Sequence, residues 1–126
     1  MSILDHIKFQ SGGLIPAVIV DDVSSQVLTL CYMDQAALEQ TLDTGEVHVF
    51  RRSKGRVMLK GETSGHTQTV KAVFIDCDGN SLVIRVDQKV AACHTGHFTC
   101  YFTKYNPATD ATETIGEKIF DPDEVY

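Results

Sequence analysis

Two short stretches form the one dense cluster of metal-ligand residue types in the sequence: Asp76-Cys77-Asp78-Gly79-Asn80 and Cys93-His94-Thr95-Gly96-His97-Phe98-Thr99-Cys100. Thiolates suit zinc and carboxylates suit magnesium, so soft and hard donors interleaved this closely point to two different ions near one reaction centre. If Cys77, Cys93 and Cys100 are three protein ligands, the fourth corner of a zinc tetrahedron stays open. An open corner marks a catalytic site, and water held there ionises near neutral pH. His94 and His66 are the candidate proton-handling residues, His94 ahead because it adjoins a proposed ligand. Cys31 lies in an apolar run and reads as core.

A second feature is basic. Arg51, Arg52, Lys54, Arg56 and Lys60 place five of the eleven Lys and Arg within ten positions of a chain whose net charge is -6. Glu62, Thr63 and Ser64 follow, in a Gly-rich loop whose hydroxyls and backbone N–H groups could complete a cradle for phosphate. No Walker P-loop and no G-x-G-x-x-G is present. The acidic balance argues against a general nucleic-acid binder, which needs excess cations to displace counterions.

These groups must be positioned by a mainly β framework. The pattern predicts a short helix over residues 2–9 and a hairpin from Ala17–Val20 and Gln26–Met33. A helix follows over Gln35–Leu42, capped by Asp34 and stopped at Gly45. Strands are predicted over Val47–Arg51 and Arg56–Lys60. Thr67–Cys77 and Ser81–Val86 form the clearest hairpin, joined by residues that tolerate positive φ. Alternation would put Asp76 and Asp78 on one side of the strand end and Cys77 on the other. A last strand is expected over Phe98–Tyr105, then a polar tail tacked down by Ile119, Phe120 and Val125.

At 126 residues the chain fits one domain, core about 13–104 and tail 105–126. Met1–Gln10 carries Asp5, His6 and Lys8 and has no apolar run, and no stretch approaches the length of a spanning helix. The expectation is therefore a cytoplasmic protein with free thiols.

Lys60-Gly61-Glu62-Thr63-Ser64-Gly65-His66, Asp76-Cys77-Asp78-Gly79 and Ala92-Cys93-His94-Thr95-Gly96, in that order and at those separations, resemble phosphoribosyl-AMP cyclohydrolase. The likeness extends to Gly13–Ala17, Tyr32-Met33 and Thr44–Val47. It implies a cytoplasmic enzyme of histidine biosynthesis that hydrolyses the N1–C6 bond of the adenine ring in N1-(5-phosphoribosyl)-AMP. It implies an α+β, mainly β fold, a curled mixed sheet or pseudo-barrel with one main helix, in an intertwined homodimer. Zinc carries over to Cys77, Cys93 and Cys100, shared between subunits. Magnesium carries over to Asp76, Asp78 and residue 80, an Asn here. The two phosphates of the substrate give the basic run 51–60 a task. Val49-Phe50 and Met58 stand where many relatives carry Trp, and a pyrophosphatase domain fused in many bacteria is not expected within this chain.

Two other classes compete. A structural zinc module scaffolding a partner would close the tetrahedron with a fourth protein ligand such as His97. A zinc nucleobase deaminase also attacks C6 of adenine, but its H-x-E and P-C-x-x-C signatures are missing.

Overall fold

A computed structural model describes residues 2–93, 95–116 and 118–124. Its centre is an open four-stranded sheet in the order β2-β1-β6-β5, built from β1 (Ile15–Asp21), β2 (Val27–Met33), β5 (Gln68–Ile75) and β6 (Leu82–Gln88). The β1–β2 and β5–β6 pairs are antiparallel hairpins, and β1 runs parallel to β6, with Ala17 opposite Leu82 and Asp21 opposite Val86. The sheet is therefore mixed, with β2 and β5 as its edges. No closed barrel forms among the described residues.

The two central strands carry the core. Ile15, Ala17 and Ile19 of β1 and Leu82, Ile84 and Val86 of β6 point inward at every second position, the period that a half-buried strand imposes. Against this face packs α1 (Gln35–Thr44), burying Ala37, Leu38 and Thr41. Its ends are closed as the sequence predicts. The Asp34 carboxylate accepts from Ala37 N–H at 2.7 Å, and Gly45 ends the helix in the left-handed region with its N–H donating to Thr41 O. The Thr41 hydroxyl then accepts from His48 N–H at 2.9 Å, tying the helix to the next strand.

A separate ribbon, β3 (His48–Arg51) and β4 (Arg56–Leu59), turns through residues 52–55. It is anchored at its base, where Val47 N–H donates to Gln68 O and Lys60 N–H to Val47 O. The basic run is thus held on a two-stranded flap beside the main sheet.

Three expectations need correction. The N-terminal segment is a 3-10 helix over Ser2–His6, shorter than the 2–9 helix predicted; beyond it, Lys8 N–H is taken by Gly79 O. The last strand does not begin at Phe98. Residues 98–102 bend because the Thr99 hydroxyl donates to Val27 O and Cys100 N–H to Leu28 O, binding this stretch to the edge of β2. Extended structure resumes only in β7 (Thr103–Asn106), which pairs with β8 (Ala111–Thr114) in an exposed hairpin where a plain polar tail was expected. Of the tail anchors, Phe120 is half-buried, Ile119 is 54% exposed, and Val125 lies outside the described residues.

Candidate active site

Cys93 and Cys100 come together across the loop that joins β6 to β7. The loop closes as a tight turn: Ala92 N–H donates to Phe98 O, Cys93 N–H to His97 O and Gly96 N–H to Cys93 O. The chain then returns along β2, so that the Cys100 side chain lies beside those of Cys93 and Thr29, both of which bear on its pKa. The Thr95 hydroxyl donates to Cys93 Sγ at 2.9 Å. Burial pushes the Cys100 thiol above its ordinary pKa and negative charge on Cys93 adds to this, whereas Lys60 opposes it. Two thiols held so close resist becoming two thiolates. A soft cation between them reverses that resistance, so the pair fits zinc chemically.

Cys77 stands elsewhere. It follows the end of β5, exposed, in the turn to β6, whereas Cys100 is bound to β2. The two strands are opposite edges of the sheet, three strand spacings or about 14 Å apart across it. Among the described residues no three His, Cys, Asp or Glu side chains converge on a metal position. His97, the fourth ligand required by a closed structural site, is turned to other partners. Its Nδ1 is 3.1 Å from the Thr95 hydroxyl and its ring stacks on Phe102 at 3.9 Å.

Asp76, Asp78 and Asn80 occupy the β5–β6 turn beside Cys77. The strand has already ended at Ile75, so strand alternation does not sort these side chains. The Asp76 carboxylate accepts from Asn80 N–H at 2.6 Å and from the Ser81 hydroxyl at 3.0 Å. The Asn80 amide, foremost among these bonds, lowers the Asp76 pKa. Asp78 is exposed, with no hydrogen bond or ion pair to the described residues. Two solvent-facing carboxylates and a side-chain amide are a donor set that magnesium accepts while keeping several waters.

Cys100 of this pair borders a cavity of about 350 Å³ between β2, the β3–β4 ribbon and the 61–66 loop, whereas Cys93 is buried behind it. Of the predicted substrate residues, Arg51, Lys54, Lys60, Glu62, Thr63 and Ser64 line it, together with Cys100 and His66. Gly61 must be glycine: φ is +89° and a Cβ would collide with the His66 carbonyl. Lys60 reaches from the ribbon to donate to Ala92 O at 2.8 Å, bracing the cysteine loop.

A second hollow of about 580 Å³ adjoins the first and shares Arg51 and Lys60 with it. There Arg52 lies over the Tyr32 ring at 4.2 Å, a cation–π contact that fixes the guanidinium without neutralising it. Arg56 lines neither hollow and pairs instead with Glu62 at 3.5 Å. Sequence reasoning missed the parts of Thr29 and Tyr32, which only the register of β2 brings into these walls.

His66 is the histidine that the described residues place in the cavity, and His94 lies outside the described residues. Burial chiefly, then the charges of Lys60 and Lys89, lower the His66 pKa, favouring the neutral ring. A neutral imidazole can accept a proton, which suits a base. Its ring and that of Phe120 in the tail meet edge-to-face.

The chain has close counterparts among known sequences. A family profile described as phosphoribosyl-AMP cyclohydrolase matches residues 29–102. The chain belongs to the phosphoribosyl-AMP cyclohydrolase family. A phosphoribosyl-AMP cyclohydrolase of Salinibacter ruber is 47% identical over 124 residues, covering 98% of this chain and 96% of that protein. The cyclohydrolase of Haloarcula marismortui is also 47% identical, covering 95% of this chain and 96% of its own length. A histidine biosynthesis bifunctional protein HisIE of Thermoanaerobacter pseudethanolicus is 43% identical over 99% of this chain, which spans 57% of that longer relative. Cys93, Cys100 and His66 fall inside the cyclohydrolase profile, whereas Phe120 falls beyond it.

Proposed function

We propose that this chain opens the purine ring of N1-(5-phosphoribosyl)-AMP by hydrolysis at C6, a step of histidine biosynthesis, as a cytoplasmic homodimer. The observation that carries the reading is the Cys93–Cys100 pair, with Cys100 in the wall of a cation-lined cavity that also holds His66. No helix among the described residues is long and apolar enough to cross a membrane.

Zinc on Cys77, Cys93 and Cys100 would supply Lewis acidity and lower the pKa of water. The rest falls to the chain's own groups. Water oxygen adds to C6 of the N1-substituted, electron-poor ring, and the N1–C6 electron pair returns to N1. The oxygen gives up both its protons, one released as the addition neutralises the cationic ring and the other passed to N1, and neutral His66 is placed to carry the latter. C6 becomes a carboxamide that stays on the imidazole, and C2 a formimino carbon still joined through N1 to the second ribose. The two adjoining hollows match the two phosphoribosyl arms: Arg51, Lys54, Thr63 and Ser64 beside one, Arg52 on Tyr32 beside the other. Magnesium at Asp76, Asp78 and Asn80 would contribute charge against the phosphates.

The dimer accounts for Cys77. An ion at Cys93 and Cys100 of one copy would take its third sulfur from Cys77 of a second copy, since a single chain holds the two positions at opposite sheet edges. The outer face of the sheet offers a surface for that second copy. Leu30, Val18, Val83 and Phe74 align in one row across all four strands, and Leu30, Val83 and Phe74 are exposed.

The test is incubation with phosphoribosyl-AMP, following ring opening by ultraviolet absorbance before and after a zinc chelator. Turnover that disappears on chelation and returns with Zn²⁺ is expected. A zinc-loaded chain that leaves the ring intact would overturn the proposal, and release of ammonia would favour the deaminase chemistry.

A further inference from the structure

We propose that Phe120, in the C-terminal tail, is a positioning residue for His66, holding the imidazole in its working orientation. This rests on the reading of His66 as the proton-handling group. A neutral imidazole offers one donor and one acceptor nitrogen, and hydrogen bonds normally fix both its tautomer and its rotation. In His66 that constraint is missing on one side, because Nδ1 is buried and has no hydrogen-bond partner among the described residues. Packing must supply what hydrogen bonding does not. The ring that His66 packs on is Phe120, centroids 4.6 Å apart at 76°, the edge-to-face geometry that aromatic pairs prefer.

Phe120 is itself held in place. Ile119 N–H donates to Gly96 O at 2.6 Å, and Lys118 bridges to His97. The Phe120 carbonyl lies so close to Gly96 that a Cβ there would collide with it. The tail thus forms a strap from the cysteine loop to the 61–66 loop. It couples the ligand-bearing turn at Cys93 to the orientation of the histidine.

A double-mutant cycle on the full chain separates positioning from simple packing. Phe120→Ala should lower kcat by about 10- to 100-fold, the cost of a misplaced catalytic group, with KM and zinc content nearly unchanged. Phe120→Tyr, which keeps the ring edge, should restore most of kcat. In the background of His66→Ala, the further change Phe120→Ala should cost nothing more. The orientation is read separately, without turnover, from the His66 imidazole resonances: one sharp set in the wild type, broadened or multiple in Phe120→Ala. Losses that multiply in the double variant, or His66 resonances unaltered by Phe120→Ala, would overturn the inference. Should Phe120→Ala fail to fold, Phe120→Leu carries the same cycle and spectra. Failure of the parent reading shows in a different place, as a wild-type chain that does not turn over phosphoribosyl-AMP.

Discussion

The chemistry proposed for this site turns on which form of His66 the cavity permits. Burial first, and the charges of Lys60 and Lys89 second, hold its pKa below 6.5. The sign follows from linkage: the unfolded chain binds the proton more readily than the folded one. Below pH 6.5, then, acid destabilises the fold and removes the base, whereas above it the neutral ring is intact. The acid limb of kcat/KM should therefore fall below pH 6.5. Replacing exposed Lys89 by Met removes one repulsive charge and should move that limb upward. A pH–rate profile of both forms checks this, and a limb that moves down would contradict the assignment. Cys31 behaves differently. Its thiol donates to Ala17 O and burial pushes its pKa up to about 12, so it stays protonated and apart from the chemistry. Its role was legible from the apolar run around it.

At the scale of elements, the β5–β6 turn is the most constrained piece of chain near the proposed metal ligands. Gly79 adopts φ +72° and presses on the His6 carbonyl, while its own carbonyl accepts from Lys8 N–H. Gly79→Ala must therefore strain the backbone, by about 1–2 kcal/mol, and push away the N-terminal arm. A lowered denaturation midpoint, larger than that caused by Asp34→Ala at the helix cap, is the expected outcome. Denaturant titrations of the two variants compare them directly, the Asp34→Ala loss being about 1 kcal/mol. The same turn carries the Asp76 carboxylate, whose pKa is lowered chiefly by the Asn80 amide. Its contribution is present above its ordinary pKa of 3.8 and is lost as pH falls toward the depressed folded value. Asp76→Asn should flatten the acid branch of the stability curve, measured by thermal unfolding between neutral pH and pH 3.

For the whole molecule, the separation of Cys77 from Cys93 and Cys100 means that the proposed three-sulfur site would need two copies. Cys77→Ser and Cys93→Ser should each be inactive alone. Mixed after mild unfolding, they should regain about a quarter of wild-type activity, because half the dimers are mixed and each of those rebuilds one of two sites. Activity that never returns on mixing would place all three sulfurs in one chain. The exposed row of Leu30, Val83 and Phe74 gives such a dimer an apolar surface to bury.

Sequence alone determined what short-range bonding controls. Asp34 and Gly45 bracket the helix, Asp78-Gly79-Asn80 turns the hairpin, and the basic run sits on a ribbon, because each depends on groups a few residues apart. The inventory of thiols, carboxylates and histidines, and the family itself, were legible for the same reason: they are matters of residue type and spacing. Tertiary structure decided which of those groups meet. The parallel pairing of β1 with β6, joined through about half the chain, sets Cys77 at one sheet edge and Cys100 at the other. The bend at residues 98–102 came from hydroxyl and amide bonds to β2, some 70 residues away, which no local pattern encodes. The contact of Phe120 with His66 likewise joins residues 54 positions apart, through a tail whose polarity gave no sign of it. Register and long-range packing are global solutions to burying one core, so they appear only when the whole chain is folded.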